Sequence, residues 1–423
     1  MQVLHRVCCG LDVHKKLVVA CLRVQDGDGR AAQEVRRFET VTDALLGLRD
    51  WLAGAGCTLV VMEATGPYWK PVYNLLEGQD GLAVWVVNAR HAHAVPGRKT
   101  DQNDACWLAE LGAHGLVRPS FVPDRAQREL RELVRYRTSL LRERAAEVNR
   151  LQKVLEGANV KLASVVSDVT GVSARAMLAA LVAGSADAAA LADLAVGRLR
   201  EKRDLLERAL TGVVGDHQRF VLAEQLGHLD ELDARTARLD AEVARRMAAP
   251  DAAGAAPFAS AVRRLATIPG VGQRTAEAIV AEAGVDMARF PTARHLASWA
   301  GVCPGNDESA GKRRSGTTRK GSPFLRAALT QAAWAAGRTQ TYLGAQFRRL
   351  ATRRGKKRAV VAVGHSILVI AHHLIRDQTD YADLGPLYFD TRGKAALQRR
   401  LVARLERLGN KVTIEPLTHQ EAA

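Results

Sequence analysis

Apolar positions in the first quarter of the chain fall into short β-branched runs separated by stretches of helical period. Val7-Cys8-Cys9-Gly10-Leu11-Asp12-Val13 is a compact apolar run that predicts a strand, and residues 17–24 and 35–38 predict two more. Gly27-Asp28-Gly29 punctuates the second and third as a turn would. Residues 42–52 have helical spacing, 58–62 read as a buried strand, 68–77 as a helix, 82–87 as a strand and 101–113 as a helix. Three successive strands followed by alternating helix and strand predict an α/β domain with a mixed sheet over residues 1–118.

Pro119 and Pro123 then mark a linker, and the period changes. Leu130, Val134, Leu141, Val148, Leu151 and Leu155 recur at three-to-four spacing, as do Leu222, Leu229, Leu232, Leu239 and Val243. Both patterns predict long amphipathic helices able to pair as a coiled coil, within a helical domain over residues 119–255. Arg137 and Arg144 interrupt the first seam, and packing on their own globular domain is the alternative. The small-residue segment 250–257 reads as a second linker, followed by a helical domain over 256–385 and a basic tail over 386–423. In that tail, residues 395–408 predict a basic amphipathic helix. The most apolar window, 359–375, contains His365, His372 and His373 and is shorter than the ~20 residues a span needs. It predicts a buried helix, and no membrane role is expected.

Charge changes the picture. The 423 residues carry 61 Lys+Arg against 45 Asp+Glu, a formal net charge of +16. Between residues 305 and 360 fourteen basic residues face only Asp307 and Glu308. Such a surface points to phosphate backbones, bound in a sequence-independent and salt-sensitive way. With 47% hydrophobic and 25% charged residues, the bulk of the chain is expected to fold. Six cysteines without a CxxC pair argue against a zinc ribbon or a disulfide scaffold and for a reducing cytoplasm. The first residues lack the apolar run of a signal peptide.

Candidate chemistry lies in four carboxylates. Asp12 closes the first predicted strand and Glu63 the fourth, while Asp101 and Asp104 open a helix at i, i+3 and share a face. Converging at one sheet edge they would repel unless hard cations were held there, and all-oxygen ligation suits Mg²⁺ or Mn²⁺. Two such ions clamp the attacking and leaving oxygens of a phosphodiester. Taken singly, each acid also reads as a helix cap or a solvated loop residue. Their order within β-β-β-α-β favours an RNase H-like nuclease site, and Arg98 and Lys99 just before Asp101 suit a phosphate ligand.

Gly10-Leu11-Asp12-Val13-His14-Lys15, Met62-Glu63-Ala64-Thr65-Gly66-Pro67-Tyr68 and Lys99-Thr100-Asp101-Gln102-Asn103-Asp104-Ala105 resemble the DEDD motif of the insertion-sequence 110 family of transposases. These are bridge-RNA-guided recombinases whose N-terminal domain is similar to the Holliday-junction resolvase RuvC. Asn88-Ala89 departs from the usual Asn-Pro of the family. The resemblance implies that Asp12, Glu63, Asp101 and Asp104 hold divalent metal. It also implies a structured guide RNA, DNA as substrate, and a homo-oligomer in which one protomer presents its carboxylates to the catalytic serine of another. Exchange of two duplexes needs four cuts, which favours a dimer of dimers, with the two helical seams as the expected contacts.

In the third domain, Ile268-Pro269-Gly270-Val271-Gly272-Gln273 reads as a hairpin between helices. Gly270 and Gly272 would let backbone N–H groups approach a phosphate at a helix N-terminus, as in helix-hairpin-helix DNA binders. A tight helical turn without a ligand is the alternative. Gly305 to Lys312 superficially suggests a P-loop but has five residues between its glycines and Arg313 where Ser/Thr is required, so ATP-driven chemistry is not supported. Ser309, in an expected small-residue loop, resembles the family's catalytic serine by its Pro304-x-x-x-Glu308 lead-in, although Ala310 replaces the usual following glycine. Lys312, Arg313 and Arg314 follow it, and Arg319, Lys320 and Arg326 match the family's basic Lys-Gly-x-x-x-Leu-Arg element. Ser315 and Ser322 are competitors. The expected function is a transposase forming a 5′-phosphoserine intermediate. The alternatives are a water-using junction resolvase and a non-enzymatic coiled-coil scaffold that binds nucleic acid.

Overall fold

The structure is a computed structural model that describes residues 3–64, 66–88, 101–185, 187–251, 254–304, 307–309, 312–315, 317–318, 320 to 415. For residues 101–103, 307–309 and 312–315 it describes the backbone alone. The chain forms two compact units, Met1–Pro123 and Asp124–Ala423.

The first unit is built on a mixed five-stranded sheet. Strands β1 (Val7–Val13), β2 (Leu17–Gln25), β3 (Ala31–Glu39), β4 (Leu59–Glu63) and β5 (Ala83–Val87) lie in the order β3-β2-β1-β4-β5. β2 runs antiparallel to β1 and β3, whereas β1, β4 and β5 are mutually parallel. This is the mixed α/β layer that the sequence predicts, consistent with an RNase H-like domain. β3 extends beyond the predicted 35–38 because it is an exposed edge strand paired along its whole length with β2, so no buried face marks its ends. Side-chain alternation gives the sheet two apolar faces. Leu11, Val60 and Met62 pack under α1 (Thr42–Gly54) and α2 (Trp69–Leu76) through Leu45, Leu48, Leu52, Val72 and Leu76. Cys8, Leu59, Val61 and Val87 face α3 (Asp101–Ala113) through Leu108, Ala109 and Leu111.

Two long helices, α4 (Arg125–Gly157) and α8 (Asp216–Met247), dominate the second unit. They run antiparallel and in contact, Arg137 pairing with Asp240 at 2.9 Å and Arg144 with Asp233, and Glu129 meeting Arg246 nearer the other end. Leu130, Val134, Leu151 and Leu155 are buried on α4, and Leu222, Leu229, Leu232 and Val243 on α8. The seam expected to join protomers is therefore filled within one chain, and the two arginines that interrupt it are matched by acids. The intervening α5 (Val172–Val182), α6 (Ala188–Asp193) and α7 (Arg203–Leu210) close over one end of the pair with Met177, Leu178, Leu191, Leu206 and Leu210.

The rest of the second unit is a helical cluster: α9 (Pro257–Leu265), α10 (Gln273–Ala283), α11 (Ala293–Trp299), the hairpin β6 (Asp307–Ser309) and β7 (Lys312–Ser315), then α12 (Pro323–Ala336), α13 (Tyr342–Arg354) and α14 (Lys356–Asp377). Two tail helices follow, α15 (Tyr388–Arg392) and α16 (Lys394–Arg407). By length and composition α14 is apolar enough to cross a membrane. Instead it lies against α9, α11, α12 and α13, burying Val363, Ile367, Leu368 and Ala371, which makes it the core helix of this cluster. Its His372 is fully buried, with Nε2 2.9 Å from the Phe290 carbonyl oxygen.

Candidate active site

In the first unit, backbone register brings two acids side by side. β1 and β4 pair in parallel with Leu11 opposite Met62, so one residue further on Asp12 stands level with Glu63. Leu11 and Met62 point to the α1–α2 face; alternation therefore turns Asp12 and Glu63 to the other face, the one α3 covers.

How α3 reaches this edge is decided by one glycine. A Cβ at Gly10 would lie 1.9 Å from the Ala105 carbonyl oxygen and 2.5 Å from the Ala109 amide nitrogen. The helix thus crosses β1 in near backbone contact, an approach any side chain would block. Toward its other end, Cys8 Sγ donates to the Ala109 carbonyl at 3.2 Å, and the Ala113 carbonyl accepts from Leu4 N at 2.8 Å. α3 consequently runs opposite to β1, with its N-terminus toward the Asp12 end. Asp104, half-buried, immediately precedes the crossing residue Ala105; Asp101 heads the helix, its backbone alone described.

Asp12 retains 20% side-chain exposure, and His14 Nε2 lies 2.9 Å from its Oδ2. That imidazole contact was not read from the sequence, although a histidine two residues beyond a strand-end acid is the signal that would have found it. Carboxylate oxygens at two strand ends and a helix start are the donor chemistry that suits a hard divalent cation, and among the described residues no group of three or more such side chains is gathered closely enough to hold one. Arg98 and Lys99 lie outside the described residues. Of the cysteines of this unit, Cys8 and Cys57 are pushed up by burial to about 11 and about 12, so these thiols behave as apolar packing groups.

In the second unit, the expected serine loop has regular structure. Ser309 pairs with Lys312 and Glu308 with Arg313 across the antiparallel β6–β7 hairpin, whose stem continues to a Pro304–Thr318 bridge. At its foot Gly321 lies against Ala300, where a Cβ would come within 2.1 Å of the carbonyl oxygen. Ser309 therefore sits at the turn end of the hairpin with a cationic residue directly opposite. Arg313 and Arg314 follow Lys312 along β7, Arg319 lies outside the described residues, Lys320 is exposed and Arg326 is half-buried on α12. Of the competing serines, Ser322 caps α12, its Oγ accepting from Leu325 N at 3.3 Å, and Ser315 stands across from Asp307.

The glycine turn between α9 and α10 divides into two roles. Gly270, at φ +87°, presses on α12, where a Cβ would lie 2.4 Å from the Ala332 carbonyl oxygen. Gly272 is exposed with open space around it and forms the N-cap of α10 without a side-chain cap. Packing inside the unit thus accounts for the first glycine, and the second is exposed, its carbonyl accepting from Thr275 N and Ala276 N at 3.0 Å.

Comparison with known proteins adds an independent observation. Residues 9–160 match a family model described as a transposase, of the DEDD type of IS110 elements, and residues 262–348 match one described as a transposase of the IS116/IS110/IS902 family. The chain is 26% identical over 291 residues to a probable family 20 transposase of Pseudomonas aeruginosa, covering 68% of this chain and 73% of that protein. It is 24% identical over 382 residues to the transposase for insertion sequence element IS1111A of Coxiella burnetii, covering 88% and 90% respectively.

Proposed function

The chain belongs to the IS110 family of transposases and is a DNA recombinase, and from that premise we propose that it cuts and rejoins DNA with two sets of residues. Asp12, Glu63, Asp101 and Asp104 hold divalent metal, Mg²⁺ or Mn²⁺, at the edge of the first unit. When bound, the metal neutralises charge at the scissile phosphate. Ser309 is the nucleophile. Its Oγ attacks the phosphorus, the bond to the 3′ oxygen breaks, the serine proton ends on that oxygen, and the 5′ end stays on the protein as phosphoserine. The lysine and arginines of the β6–β7 hairpin stabilise the added charge.

The long antiparallel pair α4–α8 acts as a coiled-coil arm, and the turn before α10 acts as a helix-hairpin-helix on the DNA backbone through Gly272. A structured bridge RNA selects donor and target by base pairing, so the protein reads backbone and shape. The working form is a homo-oligomer, a dimer of dimers, joined through surfaces other than the filled α4–α8 seam.

The observation that carries this reading is the crossing of α3 over Gly10, which leads the helix bearing Asp101 and Asp104 to the end of β1 where Asp12 and Glu63 stand level. Substituting Asp12→Ala or Asp104→Ala is expected to abolish strand cleavage while most nucleic-acid binding survives, since affinity resides in the basic residues of the second unit. EDTA should do the same to the unaltered protein. Full cleavage by either variant in Mg²⁺ would contradict the assignment.

A further inference from the structure

A cleft of about 960 Å³ opens between α13 and the tail helices α15 and α16, and none of its lining residues is a candidate catalytic group. Arg348, Arg349 and Arg353 line it from α13, and Arg400 lines it from α16. Asp390 is the carboxylate among its described lining residues. Four guanidiniums gathered around one concavity against a single acid repel one another unless an anion enters.

Two of them are already oriented. Arg348 donates to the Thr339 carbonyl at 2.9 Å and to Gln340 Oε1 at 3.0 Å. The Arg349 guanidinium lies 5.4 Å from the centre of the Phe389 ring, which itself stacks on Tyr342 at 5.1 Å and 19°. An arginine held over an aromatic ring keeps its donors directed outward, and the planar fork matches phosphate oxygens in pairs. Arg353 and Arg400 form no ion pair or hydrogen bond among the described residues, so their donors remain open to a ligand.

Size selects the form of the anion. A concavity of this size takes in a flexible unpaired strand, whose phosphates can follow its wall, whereas a stiff duplex meets it only at the rim. We propose that this cleft is a binding site for single-stranded nucleic acid, seated by consecutive phosphates on Arg349, Arg353 and Arg400. The site is independent of the carboxylate and serine chemistry, and it gives the basic tail a function.

The test uses the full chain and reads binding rather than cleavage. Labelled oligothymidylate and oligouridylate serve as single-strand probes, and a mixed-sequence DNA duplex as the third. The triple variant Arg349→Ala, Arg353→Ala, Arg400→Ala should bind the single strands at least about tenfold more weakly. The slope of log affinity against log salt should fall by about 2, since each lost phosphate contact removes roughly 0.7 for single strands. Duplex affinity should stay within about twofold. The charge-matched variant Arg198→Ala, Arg208→Ala, Arg238→Ala should keep single-strand affinity. Equal losses in both triple variants, parallel losses for duplex and single strand, or no loss would each overturn the proposal. Photocrosslinking of a thio-substituted oligouridylate or oligothymidylate to the unaltered protein gives a readout that needs no variant. Adducts should map to peptides from residues 342–354 or 388–407, and adducts confined to other peptides would refute the site. A difference between the two single-strand probes tells whether DNA or RNA is the preferred occupant.

Discussion

Gly10 shows how one residue carries information that its own position in the sequence hides. Within a strand, glycine ordinarily signals weakened pairing or a close approach, and only the helix crossing at Ala105 tells which applies. The carboxylates themselves were legible, because acids that close apolar runs and open a helix are conspicuous. Their common face was not, since it depends on the register between β1 and β4, two strands separated by β2, β3 and α1. Gly10→Ala forces a methyl group into backbone atoms of α3, and overpacking of this kind costs about 1–3 kcal/mol or more. A urea-denaturation midpoint lowered by that cost divided by the m-value, together with slowed cleavage, is the expected result. An unchanged midpoint would mean that α3 does not cross where described.

At the scale of elements, helix positions were easy to read and their partners were not. The three-to-four spacing of α4 and α8 is explicit, but an amphipathic stripe does not say whether the same chain or another covers it. Arg137 reads as a flaw in the stripe, yet it is 3% exposed and lies 2.9 Å from Asp240 and 2.6 Å from Glu277. Glu282, 2% exposed, pairs in turn with Arg135 at 2.6 Å, so α4 grips both α8 and α10 by buried charge. Removing one partner leaves the others uncompensated, and Arg137→Ala is expected to cost about 3–5 kcal/mol in unfolding experiments. A loss below about 1 kcal/mol would show that the network adds little.

The same pair of helices has an acid-sensitive contact. Hydrogen bonds from Arg246 and Arg125 hold the Glu129 carboxyl below its usual range. Its contribution is therefore complete above the ordinary glutamate value, about 4.3, and is lost as pH falls through the depressed folded value. Glu129→Gln should flatten the acid limb of the stability curve, and an unaltered limb would exclude this contact as a source. The β6–β7 hairpin was the element least open to sequence reading: Asp307 to Ser315 is short, charged and without alternation, so nothing in it distinguishes a strand from a loop.

Across the whole molecule, the proposed division of labour follows the division of charge. The first unit supplies a sheet edge bearing acids, and the second carries the stretch of fourteen basic residues between 305 and 360, with the serine near its start. Neither set alone breaks and remakes a phosphodiester without loss of bond energy: acids with metal cut, and a covalent link is what stores the cut end. A recombinase built this way must pass through a protein–DNA adduct, whereas a water-using nuclease never does. The most direct measurement is therefore denaturing gel analysis of a suicide DNA substrate, followed by peptide mapping of any protein attached to a 5′ end. The account predicts phosphate on Ser309, lost in Ser309→Ala together with strand exchange. Normal cleavage by Ser309→Ala with no adduct from the unaltered protein would contradict it.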